Sequence, residues 1–580
     1  PLRGPGRVLQ TQDFFLLVQT MPAAKTKKST VTTRGRSSGR TCTGSDRKRP
    51  RTCRADAEAA PVKKVQKDAE AAPVKKVQKA PVVAKRRRRL SVNDVHNSVL
   101  KVFVSHVKPN YSQPWCSDAQ TSSNSSAWPV RLDDGSLRVV TNAHSVEHAA
   151  LVQVKRHRHE KKYVAKVLCV GPDCDLALLD VPSDEFWKGL EPLDILPGLP
   201  KLQDSVSVVG YPTGGESLSV TVGVVSRIDL VEYAQTGVTL LAVQIDAAIN
   251  SGNSGGPVVD SKGNCVGVAF QNLDASDEDG AENIGYIIPT EIVRHFLEDY
   301  RRNGCFTGFG SAGILTQGLE SPVLRQALGM TKTQSGVRIK CVEPASPAHG
   351  VLLPDDVVLS VDGRKVGNDG EVAMPWGRIP FAYLLNQRFP GESCELQVLR
   401  AQEEGVKKMS LKFRLSRCRD LVAADAGGPA AFAGSAAPRY IVTGGLVFVP
   451  LTKPFLEAAF GEDYADKRPS EMTAELVYLL ENGTREESDQ EPVVLTQVLA
   501  SEVTVGYSDL ENEVLETFNG EKVRNLSHLA QLLESSSQEK YHKFVFRSKE
   551  VVVLDRRAAT KALPSILSQN MIPAPRSPLL

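Results

Sequence analysis

A chain of 580 residues with 41% hydrophobic content is long enough for about three or four globular domains. Its net charge of +4 is unevenly divided: residues 21–89 hold 22 Lys+Arg against 5 Asp+Glu, and residues 90–580 sum to −14. Ten scattered cysteines without a C-x-x-C pair argue against a disulfide framework or a zinc site and fit a reducing compartment, no apolar run approaches the ~18 residues of a membrane helix, and no metal or cofactor motif is present.

Met21 is the first methionine, and residues 1–20 are expected to precede the native start. From Met21 to about Leu90 no hydrophobic period exists, and such a composition cannot bury enough apolar surface to offset its ordering entropy. Residues 56–67 recur unchanged at 68–79, but two proline-containing copies do not predict a solenoid. The clusters Arg47-Lys48-Arg49-Pro50-Arg51 and Lys85-Arg86-Arg87-Arg88-Arg89 predict nuclear import, through an importin, or nucleic-acid contact within residues 21–89. A solubilising tail is one alternative. An organelle transit peptide, chloroplast or mitochondrial, is another, because residues 21–54 are rich in Arg, Ser and Thr with Asp46 the one acid. A transit peptide does not need the later basic cluster, which ranks the nuclear reading first.

From Val92 to about Tyr286, short apolar or alternating runs are separated by Gly, Pro, Asn and Asp. Strands are expected at Val102–Val107, Arg138–Thr141, Leu151–Val154, Val164–Val170, Leu176–Val181, Ser205–Val209, Ser219–Ile228, Thr239–Ile245, Val266–Phe270 and Ile284–Ile288, the pattern of two small barrels in tandem. Thr290 is expected to cap a helix over Glu291–Tyr300, with Gly304 past its end. Two smaller α/β units follow, each with a matching hairpin: Ser360-Val361-Asp362-Gly363 and Thr517-Phe518-Asn519-Gly520. The expected division is a basic arm at 1–90, the double barrel at 91–304, small domains at 305–418 and 440–556, a linker at 419–439 and a tail at 557–580.

One loop carries the chemistry: Asn250-Ser251-Gly252-Asn253-Ser254-Gly255-Gly256-Pro257. Glycines on both sides of Ser254 let backbone amides converge beside its hydroxyl, as an oxyanion hole requires. A plain Gly/Ser/Asn turn is the alternative, so the reading depends on a base and a carboxylate elsewhere. His144 ends the apolar strand Val139-Val140-Thr141, a rigid platform open to solvent that suits a general base. Asp175 stands directly before Leu176-Ala177-Leu178-Leu179, where its carboxylate can orient an imidazole. Asp173, one step further from that strand, is expected to be exposed. His148, His157 and His159 sit in or near a charged loop and read as solvated. The order His, Asp, Ser is that of chymotrypsin-type double barrels, not of subtilisin or α/β-hydrolase triads.

Thr141-Asn142-Ala143-His144, Asp175-Leu176-Ala177-Leu178-Leu179, the Asn250–Pro257 loop and Asn283-Ile284-Gly285-Tyr286-Ile287-Ile288-Pro289 resemble the Deg/HtrA (Do-like) serine proteases. The resemblance implies a mainly β fold, a chymotrypsin-like double β-barrel followed by two PDZ-like α/β domains behind a disordered basic arm. It also implies ATP-independent endoproteolysis of unfolded or regulatory proteins, with no cofactor. His144, Asp175 and Ser254 would be the triad, and Gly252, Ser254 and Asn253 would supply the oxyanion hole. Ile249 and Val268, Ala269 and Phe270 would line a pocket for a small aliphatic residue. Ser311-Ala312-Gly313-Ile314 would be the carboxylate loop of the first PDZ-like unit, with Ala312 where the family has a bulky aliphatic residue. Assembly into trimers or multiples of them is implied too. The segment Asn142–His148 and the basic arm look most like the plant and algal Deg branch assigned to the nucleus. A chaperone or adaptor with a conditionally assembled triad, and a nucleic-acid-associated role of the arm, are the competing readings.

Overall fold

The structure, a computed structural model, describes residues 92–233, 236–273, 284–417, 420–424, 438–461, 464 and 472–578. Every expectation for residues 1–90 therefore lies outside the described residues, as does most of the 419–439 linker.

Twelve strands close into two six-stranded barrels. The first joins β1 (Leu100–His106), β2 (Thr121–Arg131), β3 (Leu137–Thr141), β4 (Ala149–Arg156), β5 (Lys162–Gly171) and β6 (Leu176–Asp180) in the order β1-β2-β3-β6-β5-β4. The second joins β7 (Ser205–Gly210), β8 (Ser219–Tyr233), β9 (Val238–Ile245), β10 (Pro257–Asp260), β11 (Cys265–Leu273) and β12 (Ile284–Pro289) in the order β10-β11-β12-β9-β8-β7. Strand β6 shows why an unbroken apolar run belongs here. Ala177 and Leu179 fill the first barrel, while Leu176 and Leu178 face the core shared with the second. Both faces are buried, and each fully buried leucine is worth about 1.5–3 kcal/mol.

The apolar pattern does not mark the first half of strand β2, Thr121-Ser122-Ser123-Asn124, which is polar and exposed. Pairing with β1 from His106↔Thr121 to Leu100↔Ala127 makes it a strand, and its far end continues onto β3 at Trp128↔Val140. The helix after the barrels, α1 (Thr290–Asn303), buries Ile292, Val293 and Phe296 and ends at Gly304, whose φ of 68° suits glycine. Thr290 is not its cap. Pro289 holds that position, and the Thr290 hydroxyl donates to the Gly198 carbonyl at 3.0 Å.

The first α/β unit is a sheet of Ile314–Gly318, Val337–Val342, Val357–Val361, Ser393–Gln402 and Gly405–Arg414, with Arg364–Lys365 paired beside it and a short helix at Ala382–Asn386. The second repeats the outline from Ile441–Thr443 to Val551–Asp555. The two matching hairpins turn alike: Asp362 and Asn519 have φ of 46° and 49°, each followed by a glycine at 81° and 88°. The second unit also carries helices at Lys453–Phe460 and Ala474–Asn482. The expected tail is a correction. Residues Arg556–Gln569 form a helix whose buried Ala559 and Ile566 pack into this unit, and Pro575 accepts a hydrogen bond from the Val442 amide at 2.7 Å.

Both units contact the barrels. His295 of α1 is stacked between Phe309 and Phe389, at ring distances of 4.3 and 4.0 Å. The second unit meets the β1–β2 connection through Lys108–Glu457, at 2.7 Å, and Trp115–Tyr440, at 5.8 Å between rings.

Candidate active site

Strand β3 delivers the Thr141–His144 segment, and a 3-10 turn at Pro172–Cys174 delivers Asp175 just before β6. Strands β3 and β6 are paired through Thr141↔Ala177, which sets the two side chains opposite each other. Asp175 is fully buried, in a left-handed conformation (φ 49°). Its Oδ2 lies 2.7 Å from His144 Nδ1, and its Oδ1 accepts the His144 backbone amide at 2.9 Å. Asn142 Nδ2 donates to the Asp175 carbonyl at 2.8 Å and pins the carboxylate's backbone. The imidazole orientation is thereby fixed, with Nε2 left for a reacting group. Burial pushes the His144 pKa down, but the charge and hydrogen bond of Asp175 outweigh it, and the net shift is upward.

The Ser254 loop is tied to the same place by Ser126, which sequence reasoning passed over. The Ser126 amide donates to the Ser254 carbonyl at 2.9 Å, and its carbonyl accepts Thr141 Oγ1 at 2.8 Å. Its hydroxyl donates to the Gly252 carbonyl at 2.7 Å and accepts the Tyr211 amide at 2.8 Å. A serine in a polar run gave no signal of this, because each partner is distant in sequence. Glycine is required twice in the loop. A Cβ on Gly252 (φ 95°) would lie 2.5 Å from the Tyr211 carbonyl, and one on Gly255 (φ 80°) 2.3 Å from the Ser126 carbonyl.

The three amides expected at the oxyanion position divide. That of Asn253 donates to the Asn250 carbonyl at 2.9 Å and is already used. Those of Gly252 and Ser254 make no hydrogen bond among the described residues. The Ser251 carbonyl, which could close such a hole, is instead held by the Thr213 amide at 2.7 Å. No hydrogen bond joins Ser254 Oγ to His144 among the described residues.

The four residues expected to form a specificity pocket also divide. Ile249 and Ala269 pack in the core of the second barrel, whereas Val268 and Phe270 belong to the shared core, with Phe270 against Tyr233 at 4.5 Å. Successive strand residues face opposite ways, so Val268, Ala269 and Phe270 cannot line one wall.

At the expected carboxylate loop, the Gly313 amide donates to Ser311 Oγ at 3.1 Å, and the buried Ala312 carbonyl accepts from Ser346 Oγ at 2.8 Å. Glu343 Oε2 lies so close that a Cβ on Gly313 would come within 3.1 Å of it. Ile314 begins the strand Ile314–Gly318, which pairs with Val337–Val342 at the end of the sheet.

Asp173 is not exposed but buried, and forms a two-pronged ion pair with Arg417 of the first α/β unit (2.9 and 3.1 Å). A buried charge stripped of its partner costs about 3–5 kcal/mol. Arg417→Ala should therefore destabilise the chain by about that amount in denaturant unfolding. Adding Asp173→Asn to it should recover part of the loss. His157 is half-buried and lines a pocket, whereas His159 is exposed at its rim, as expected. No cluster of His, Cys, Asp or Glu among the described residues could hold a metal ion, and no described helix is long and apolar enough to cross a membrane.

The trypsin-like peptidase domain family matches residues 126–268, and the PDZ domain family matches residues 431–579. "Protease Do-like 2, chloroplastic" of Arabidopsis thaliana is 44% identical over 482 residues, covering 83% of this chain and 75% of that protein. "Putative protease Do-like 3, mitochondrial" of Arabidopsis thaliana is 38% identical over 485 residues, covering 82% and 79%. Among solved structures, an HtrA-type protease AlgW with decapeptide matches at 23% identity and a TM-score of 0.42, covering 55% of this chain and 95% of that one.

Proposed function

The chain belongs to the Do-like (Deg/HtrA) family of serine proteases and is a serine endopeptidase, and we propose that His144, Asp175 and Ser254 are its catalytic triad. The observation that supports this is the buried Asp175 carboxylate, which holds both the ring and the backbone amide of His144. Ser254 Oγ attacks the scissile carbonyl as His144 Nε2 takes its proton. His144 then returns that proton to the leaving amine, and Asp175 stabilises the imidazolium between the two steps. The oxyanion is received by the amides of Gly252 and Ser254, each worth about 100- to 1,000-fold in rate. Substrates are unfolded or regulatory proteins, and cleavage needs no ATP. Casein degradation without nucleotide tests this, and degradation undiminished in Ser254→Ala would overturn it.

Only neutral His144 accepts a proton, and Asp175 raises its pKa above the ordinary 6.5. The value of kcat/KM should thus climb with pH along a limb centred above 6.5, the enzyme being protonated and idle below it. A limb centred below that value would contradict the role of Asp175.

The missing Ser254–His144 hydrogen bond favours a second reading, in which the triad completes itself only when substrate or an activator binds and the resting protein acts as a chaperone or adaptor. In the first α/β unit, the edge of Ile314–Gly318 that is unpaired among the described residues suits an internal peptide strand by β-augmentation. The Glu343 carboxylate beside Gly313 opposes capture of a C-terminal carboxylate there. Assembly into trimers or their multiples is read by sedimentation. The names of the relatives place them in chloroplast or mitochondrion, which favours organelle import through residues 21–54 over the nuclear reading. Nuclear accumulation of the tagged full chain, abolished by replacing Lys85–Arg89 with alanines, would reverse that order.

A further inference from the structure

We propose that the cationic pocket between the β4–β5 turn and the β7–β8 loop is an exosite for acidic peptide segments of protein substrates, a reading that rests on the protease function. The pocket encloses about 450 Å³. Its permanent cations are Lys155, Arg156 and Arg158, joined by the imidazoles of His157 and His159, and its carboxylate is that of Glu216.

Glu216 offsets one of these charges and no more. One of its oxygens is taken by Lys155, at 2.5 Å, and the other by Lys101, at 2.9 Å, and these hydrogen bonds hold its pKa at about 2. Arg156 donates to the carbonyls of Phe186 and Lys188, and its Nε is buried without a partner. The side chains of Arg158 and His159 are exposed and make no hydrogen bond or ion pair among the described residues. Burial, and then repulsion from Arg158 and His96, depress the His157 pKa. An uncompensated cationic concavity of this kind attracts anions from solution.

The rest of the surface selects a peptide over a small anion. Leu218 and Val220 also line the pocket, and β8 exposes Val220, Val222 and Val224 by 41, 65 and 36% at alternate positions. A strand carrying carboxylates near apolar side chains matches both features. Tyr211, one of the residues lining the pocket, links it to the active site. Tyr211 Oη lies 3.0 Å from His157 Nδ1, while the Tyr211 amide holds Ser126 Oγ, which binds the Gly252 carbonyl. A segment bound here is presented beside the Ser254 loop by the same polypeptide that is to be cut.

Two fluorogenic peptides with one cleavage sequence, one of them extended by a Glu-rich segment, test the proposal on the full chain at low salt. The extension should lower KM about tenfold, the effect of a few partly exposed ion pairs. In the double variant Arg158→Glu/His159→Glu that advantage should vanish, with the unextended peptide cleaved as before. An advantage that persists in the variant would assign the attraction to residues 21–89 and overturn the proposal. Saturable binding of inorganic pyrophosphate that is lost in the variant, with no KM advantage for the extension, would make this a small-anion site and also overturn it. If neither peptide is cut, the protease reading is what fails. Anisotropy of the labelled Glu-rich segment on Ser254→Ala then reads the exosite alone: binding lost with Arg158→Glu/His159→Glu supports it, and binding unchanged by them refutes it.

Discussion

Ser254→Ala is expected to lower kcat on unfolded casein by about 10⁶-fold while leaving the fold intact. The hydroxyl is half-buried, and its loop is held through backbone groups. The Ser254 carbonyl accepts from the Ser126 amide, and the Gly255 amide donates to the Ala269 carbonyl at 3.0 Å. Removing Oγ therefore breaks no hydrogen bond of the described structure, and the unfolding midpoint should stay within the ordinary range for a surface change. What remains over water should be the binding and oxyanion contribution of Gly252 and Ser254, about 10³–10⁴-fold. A variant that kept a tenth of the activity, or that unfolded, would separate this serine from the chemistry.

Asp175→Asn is expected to cost about 10⁴-fold in kcat with little change in KM. The replacement is nearly isosteric in a fully buried site, so the Asn142 contact to the backbone carbonyl persists. An amide oxygen can still accept the His144 backbone amide, which places the amide nitrogen against Nδ1. That nitrogen donates, so it selects the tautomer with Nδ1 bare and Nε2 protonated, and Nε2 can then no longer take the Ser254 proton. The same change removes the charge that raises the His144 pKa, and the residual pH limb should move down. A loss under tenfold would mean that His144 is oriented by something other than this carboxylate.

The barrels were legible because short alternating runs are what two half-buried faces demand, and the Leu176–Leu179 run marks a strand covered on both sides. Strand β2 was hidden for the same reason: its polar half pairs through the backbone, and side-chain pattern carries no trace of that. The Asp175, His144 and Ser254 positions could be picked out because each closes or opens an apolar run at a loop. Ser126 and the Asp173–Arg417 pair depend on contacts between residues up to 244 apart, which no local window contains. The tail is a milder case. Ala559 and Ile566, seven apart on one face, are the helical period that the Pro564 between them masked.

The central claim is most directly tested by labelling the full chain with a fluorophosphonate in the presence of unfolded casein and locating the adduct by peptide mass spectrometry. The account predicts one adduct, on Ser254, absent from His144→Ala and strongly reduced in Asp175→Asn. Casein cleavage that proceeds with Ser254 unmodified, or an adduct on another serine, would contradict it.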